Sequence, residues 1–364
     1  MVCEGCAYYA PIERRILVVK LGATGDVLRT TPLLASLQEC YPQAHITWIT
    51  GRGSAPLLRQ NPQIDRLLIT GAEAMAQLET LHFDLAVNLD LDPEATAILE
   101  RVQATEKKGF GLSAQGATTA LNPEAEPWLD MSLWDDLKKA NTKTYQWHMR
   151  QIIGAPQTPH PITLPLPPES QQKALAFAQQ QGLHKPNRPI IGFNVGAGPR
   201  WQHKKWTVEG FCQLARMVTQ KLNAQVLILY GPEDRGRAQE VMAALDTPYI
   251  DAGLHDSMLD FAAILELCGV IVTGDTFALH AALARGCRVV CLVGPTSAAE
   301  LELYDQGVIL QGDIDCLGCY LTRCDKDPFC MKLLPAERVF EAVQIELQHH
   351  ACESARTRTE SAQS

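Results

Sequence analysis

Gly269-Val270-Ile271-Val272-Thr273-Gly274-Asp275-Thr276-Phe277-Ala278-Leu279-His280 joins an apolar run to a helical one. Its first five residues form a short apolar run, the pattern of a buried strand. Gly274 lets the chain turn, and Asp275 and Thr276 are residue types that open helices. The chain then continues helically through Ala281-Ala282-Leu283-Ala284, with His280 about one turn along, on the face of Thr276. A strand that runs into a helix in this way presents free N–H groups and a positive dipole end, which can hold a phosphate. The plainer alternative is an ordinary strand–helix junction with a capping aspartate and a satisfied histidine.

Two other segments repeat the pattern. Arg15-Ile16-Leu17-Val18-Val19-Lys20 reads as a strand, Leu21-Gly22-Ala23-Thr24-Gly25-Asp26 as a loop, and the next residues have helical periodicity. Gly22 and Gly25 flank a loop that lets backbone approach a ligand closely. The glycine spacing fits neither a dinucleotide fingerprint nor a P-loop. Asp26 stands where loop becomes helix, so it is either an N-cap or a carboxylate at the ligand-binding end of a strand. In the second half, Pro189-Ile190-Ile191-Gly192-Phe193-Asn194 reads as a strand. The loop Val195-Gly196-Ala197-Gly198-Pro199-Arg200 follows, then Lys204-Lys205-Trp206, with Thr207 as the N-cap of a helix. A loop rich in N–H groups beside a lysine is a diphosphate cradle, and otherwise a basic, solvated rim.

Along the chain, strands are expected at 16–20, 45–50, 66–70, 83–88 and 107–111, and at 190–194, 225–230, 249–251, 269–273 and 288–293. Helical segments lie between most of them, giving an α/β chain of two alternating halves. Residues 113–141 read as a long polar loop with helical pieces, and 134–153 as helix. The organisation expected is a Cys-containing segment 1–14, a domain 15–154, a linker 155–168, a domain 169–348 and a mobile tail 349–364. Six prolines between Pro156 and Pro168 stiffen the linker. At 364 residues the chain exceeds one usual core. The net charge of −9 argues against general affinity for nucleic acid or anionic membranes. No run of 18 apolar residues occurs and the start lacks the features of a signal peptide, so a cytoplasmic protein is expected.

The order of these segments resembles glycosyltransferase family 9, the heptosyltransferase-like enzymes of lipopolysaccharide core assembly. The resemblance spans roughly 15–345. It rests on Lys20-Leu21-Gly22-Ala23-Thr24-Gly25-Asp26-Val27, Lys204-Lys205-Trp206, Gly231-Pro232-Glu233-Asp234, the Gly274-Asp275-Thr276-x3-His280 element, Val293-Gly294-Pro295-Thr296 and the late cysteines. It implies a GT-B fold, two Rossmann-like domains with a cleft between them, the first for the acceptor and the second for the nucleotide-sugar donor. It also implies an ADP-sugar donor, often ADP-heptose, inversion at the anomeric carbon, and chemistry that requires no cofactor or metal. The acceptor would be a lipid-linked glycan, and the enzyme could visit the inner face of the inner membrane transiently. Oligomeric state stays open.

Carried over by position, Asp26 matches the general base, with Gly22, Thr24 and Gly25 in its loop. Lys204 matches a lysine at the donor diphosphate, beside the Gly196, Ala197 and Gly198 backbone. Glu233 matches an acidic residue for the donor ribose, with Asp234 adjacent as an alternative register. Asp275, Thr276 and His280 match the donor-binding helix start. Phe277 departs from the glycine that many relatives have there, and its ring would narrow the space beside the donor. Stabilising a departing diphosphate with a lysine and a helix N-terminus suits this chemistry. General-base assistance is worth about 10²–10⁴-fold. Two other functions fit the same fold: a sugar-nucleotide epimerase, turning over without an acceptor, and a non-catalytic scaffold that binds metal and tolerates Asp26→Ala.

Cys316-x2-Cys319-x4-Cys324-x5-Cys330 and Cys3-x2-Cys6 are the dense thiols among 12 cysteines. Such spacing suits structural Zn²⁺ or an iron–sulfur cluster, or else a motif of reduced thiols. Cys40, Cys212, Cys268, Cys287 and Cys291 lie in apolar elements and read as packed hydrophobes. Asp90-Leu91-Asp92 could hold Mg²⁺, but a solvated turn with Asp92 as N-cap before Pro93 is the favoured reading. Trp128, Trp134 and Trp147 could stack on sugar or pack in a core. Trp206 is expected to lie under its loop and fix Lys204.

Overall fold

The computed structural model describes residues 11–183 and 188–361. The chain divides into two compact units. The first contains the residues up to Leu137 together with Thr142–Pro165, and the second contains Lys138–Asn141 and the chain from Leu166.

The sheet of the first unit contains β1 (Arg14–Val19), β2 (Ala44–Thr50), β3 (Arg66–Ile69), β4 (His82–Asn88), β5 (Gln103–Leu112) and β6 (Thr118–Ala120). Their spatial order is β3-β2-β1-β4-β5-β6, parallel except for β6, which runs antiparallel to β5. The second unit contains β7 (Ile190–Asn194), β8 (Gln225–Leu229), β9 (Tyr249–Asp251), β10 (Val270–Gly274), β11 (Arg288–Leu292) and β12 (Gly307–Leu310). Its order is β12-β11-β10-β7-β8-β9, parallel throughout. Both are doubly wound sheets. The connections reverse direction between β1 and β4 in one and between β7 and β10 in the other, and such points form ligand crevices at the carboxyl ends of the strands.

The apolar runs follow from helices covering both faces. In β1, Ile16 and Val18 pack with Leu33, Leu34, Leu37 and Trp48. Leu17 and Val19 point the other way, into a core with Leu78, Ala86 and Leu99. A strand so covered has no polar face, and each large apolar side chain buried contributes roughly 1.5–3 kcal/mol.

All ten strands expected from the sequence are present, with ends shifted by a few residues. β6 was not foreseen, because Thr118-Thr119-Ala120 is a polar sheet edge without an apolar pattern. The short run forming β12 was not assigned either. The expected helix 134–153 is two helices, Asp135–Ala140 and Tyr145–Ile153. The break comes at Thr144, whose hydroxyl accepts from the Trp147 N–H at 3.2 Å and starts the second helix. The last helix runs from Ala336 to Ser361, past the 348 boundary where a tail was expected. Glu346 and Glu353 on it bond the buried Arg288 at 2.8 and 3.1 Å, which fixes it to the start of β11. Cys3 and Cys6 lie outside the described residues.

His148 lies on the buried side of the helix Tyr145–Ile153, with its ring 5.3 Å from that of Trp128 and 5.1 Å from that of Trp147. Burial, and then the charge of Lys143, lower its pKa to about 4 from an ordinary 6.5. Between these values the unfolded chain binds a proton that the folded chain refuses, so stability falls as pH drops through the window. Relative to wild type, His148→Phe should lose on the order of 2–3 kcal/mol less stability between pH 6.5 and 4, measured by denaturant unfolding. Parallel stability curves would show that His148 does not titrate in this way.

Candidate active site

In the second unit, residues from the ends of three strands, β7, β8 and β10, gather at the crevice. Asn194, the last residue of β7, donates from Nδ2 to Thr273 Oγ1 at 2.9 Å and to Thr276 Oγ1 at 3.2 Å. These bonds link β7 to β10 across the point where the sheet connections reverse. Thr276 is the N-cap of the helix Phe277–Ala284, in extended conformation with no side-chain capping bond. Lys204 Nζ donates to Asp275 Oδ2 at 2.9 Å, which brings the lysine of the β7 loop to the helix start after β10. His280 is buried, with Nε2 3.9 Å from Asp275 Oδ1. Phe277 packs toward Phe261, at a centroid separation of 6.3 Å, and Phe261 faces His255 at 5.9 Å.

The loop after β7 is shaped by Asp234. This buried carboxylate accepts from the Gly198 N–H at 2.9 Å and pairs with Lys205 Nζ at 2.8 Å. The Gly198 N–H is thus bonded within the protein, to Asp234. Asp234 holds the loop, whereas Glu233 is exposed, with Oε2 3.5 Å from where a Cβ on Gly198 would stand. Thr207 caps the helix Val208–Leu222 as expected, accepting from the Gly210 N–H at 2.9 Å. Trp206 is buried beneath the loop and donates to Leu334 O at 3.1 Å. The Trp201 ring lies 5.8 Å from Lys204 Nζ.

In the first unit, the helix Thr24–Thr30 begins two residues before Asp26, so Asp26 is not its N-cap; Ala23 holds that position. Gly22 remains in the loop, while Thr24 and Gly25 open the helix. Asp26 Oδ1 pairs with Arg29 Nη2 at 2.9 Å. Asp90 is not part of a solvated turn. It is buried after β4, where it bonds Lys20 Nζ and accepts from the Leu21 N–H at 2.6 Å. Burial alone would lower the Lys20 pKa. Electrostatic interactions with Tyr145, Asp90 and Asp26 outweigh that and hold the ammonium above the ordinary lysine range. Removing one member of such a buried pair typically costs ~3–5 kcal/mol. Asp92 is the N-cap expected, accepting from the Glu94 and Ala95 N–H groups.

Sequence reading missed Asn194 and Asp90 as the ties across the two crevices. A polar residue closing an apolar strand was the available signal for Asn194. Of the tryptophans, Trp134 is exposed, Trp128 packs edge-on against Tyr145 at 5.3 Å, and Trp147 is half-buried under Lys143.

The four late cysteines share one loop. Gly318 N–H donates to Gly294 O, Tyr320 N–H to Pro295 O, and Cys324 N–H to His203 Nδ1 at 3.2 Å, so this loop packs on two loops of the crevice. Burial pushes the Cys330 thiol up to about 11, the Met331 N–H pulls it back, and Cys319, Cys324 and Cys316 are near enough to add to the rise. Among the described residues, no three His, Cys, Asp or Glu side chains gather as metal ligands. Cys212, Cys268, Cys287 and Cys291 are buried, and Cys40 is half-buried.

The fold and this crevice define a two-unit Rossmann-like protein of the GT-B class. The family model for glycosyltransferase family 9 (heptosyltransferase) matches residues 74–327. Lipopolysaccharide heptosyltransferase 2 of Escherichia coli K12 is 26% identical over 306 residues, covering 78% of this chain and 83% of that protein. The crystal structure of the family 9 glycosyl transferase from Veillonella parvula aligns with a TM-score of 0.72 at 21% identity, over 94% of this chain and 99% of that one. The structure of E. coli ADP-heptose lps heptosyltransferase II aligns at 0.66 and 20% identity, over 93% and 99%. The chain belongs to glycosyltransferase family 9, the heptosyltransferase family, and is a glycosyltransferase.

A Cβ on Gly196 would stand 2.2 Å from Asp234 Oδ2 and 2.6 Å from Asp234 Cβ, too close for the carboxylate to stay. Gly196→Ala should therefore lower stability by about 1–3 kcal/mol, with loss of the Lys205–Asp234 pair, read by thermal unfolding and crystallography. An unchanged melting temperature would show that the loop does not depend on Asp234.

Proposed function

We propose that this enzyme transfers a heptose or related sugar from an ADP-sugar to a lipopolysaccharide-core-type glycan, with inversion and without a metal. One observation carries the reading. The Lys204–Asp275 pair holds a cation beside the N-terminus of the helix Phe277–Ala284, at the carboxyl end of β10. Breaking the glycosidic bond leaves positive charge at the anomeric carbon and negative charge on the departing ADP. A fixed ammonium and helix N–H groups stabilise that charge without reorganising. In this reading Glu233, exposed beside Gly198, bonds a ribose hydroxyl. Asp26 takes the proton of the acceptor hydroxyl as it attacks, and attack opposite the leaving group inverts the centre. The names of the related heptosyltransferases support the sugar and the acceptor class. The loop of Cys316, Cys319, Cys324 and Cys330 has a structural part, packing on the crevice loops.

No helix among the described residues is long and apolar enough to cross a membrane. The enzyme is proposed to work in the cytoplasm and to meet a lipid-linked acceptor at the membrane surface.

Calorimetric titration with ADP, UDP and GDP tests the donor site. The expected result is selective ADP binding, weakened about tenfold or more by Lys204→Ala and unchanged by Asp26→Ala, since a charge-assisted bond is worth ~1.5–3 kcal/mol. Absence of binding by all three nucleotides would contradict the reading.

A further inference from the structure

Asp26 is one end of an assembly inside the first unit. Arg29 lies one turn further along the same short helix and bonds Asp26 Oδ1 at 2.9 Å through Nη2. Its side chain is only 12% exposed, and its guanidinium sits over Tyr145, with Cζ 4.1 Å from the ring centroid. Tyr145 opens the helix Tyr145–Ile153, and its hydroxyl is 2.8 Å from Thr30 Oγ1. Thr30 Oγ1 in turn donates to Asp26 O at 2.6 Å. Gln146 Nε2 donates to Arg29 O at 3.3 Å. The helix that carries the carboxylate is therefore tied to a second helix through the ring and hydroxyl of one tyrosine.

We infer that Arg29, seated on Tyr145, is the positioning residue for the Asp26 carboxylate. It fixes the plane of the base toward the acceptor hydroxyl. This deepens the proposed function, because it rests on Asp26 being the base. The logic is that of any base oriented by a third group: geometry is set by the orienter, and proton affinity is tuned by its charge. The design has a chemical consequence. A neighbouring guanidinium makes Asp26 a weaker base, so the gain lies in orientation. Arginine suits the task better than lysine, because its planar head can stack on the ring while bonding a carboxylate oxygen.

Charged and titratable groups near Asp26 among the described residues include Arg29, Lys20 with its partner Asp90, and Tyr145. Arg29 lies on its own helix. Lys20 follows β1 and is bonded to Asp90 after β4. Tyr145 belongs to the helix Tyr145–Ile153, and burial raises its pKa despite the opposing pull of Lys20 and Arg29. Lys20 stays in place when Arg29 is replaced, so the shift expected is smaller than the full effect of a paired cation.

The test follows the Asp26 carboxyl by ¹³C NMR across pH in wild type, Arg29→Gln and Arg29→Lys. In parallel, the pH profile of kcat/KM is read as ADP release from ADP-heptose, with truncated-core lipopolysaccharide as acceptor. Arg29→Gln should raise the Asp26 midpoint and the acidic limb of kcat/KM together by about one unit. It should lower kcat about tenfold or more while leaving KM for ADP-heptose within about twofold. Arg29→Lys should restore the midpoint and recover only part of kcat. Tyr145→Phe keeps the ring and should keep the midpoint. An Arg29→Gln variant with unmoved midpoint and limb would overturn the inference, even if its melting temperature fell. Wild-type activity in Asp26→Asn would instead overturn the base assignment, while the NMR midpoints still report on the Asp26–Arg29 coupling.

Discussion

A parallel strand cannot be joined to its neighbour by a tight turn. The chain must cross back over a face of the sheet, usually as a helix, before it runs the same way again. That constraint sets most of what this molecule does. All six strands of the second sheet, and five of the six in the first, end at one edge of their sheet. The loops that leave that edge are where side chains can converge without disturbing either buried face. The crossovers also change direction once in each sheet, between β1 and β4 and between β7 and β10, and leave a crevice there.

Each crevice is closed at its base by a polar residue from one central strand or its exit, bonded to the other. Asp90, beyond β4, binds Lys20 and the Leu21 N–H beyond β1. Asn194 at the end of β7 bonds Thr273 and Thr276 at the end of β10. These buried polar groups are costly unless satisfied, and satisfaction requires the two strands to be side by side. They therefore specify the register on which the rest of each site depends. Above the tie in the second unit, Asp275 receives Lys204, and Asp234 draws in Gly198 and Lys205. Above the tie in the first, Asp26 meets Arg29.

The strands were legible because residues such as Ile16-Leu17-Val18-Val19 and Val270-Ile271-Val272 have no polar face to hide. Local caps were legible for the same reason of proximity: Thr207 and Asp92 bond N–H groups two or three residues away. Thr118-Thr119-Ala120 was not legible, since an edge strand needs no apolar pattern. The roles of Asp90 and Asn194 depend on neighbours 70 and 79 positions away, which only topology brings together. A separation of 36 positions, from Asp234 to Gly198, hid the difference between Glu233 and Asp234. They are adjacent in sequence, yet one is exposed and the other is buried on the Gly198 loop. Arg29 stood in plain view three residues from Asp26, but its seat on Tyr145 joins positions far apart in the chain.

The central claim is that the second unit holds the nucleotide of the donor at the carboxyl ends of β7, β8 and β10. Hydrogen–deuterium exchange of the whole protein with and without ADP tests it most directly. ADP binding should slow exchange in 195–206, 231–235 and 274–278 and leave the segment 21–30 unchanged. Protection confined to the first unit would contradict the assignment of donor and base to the two units.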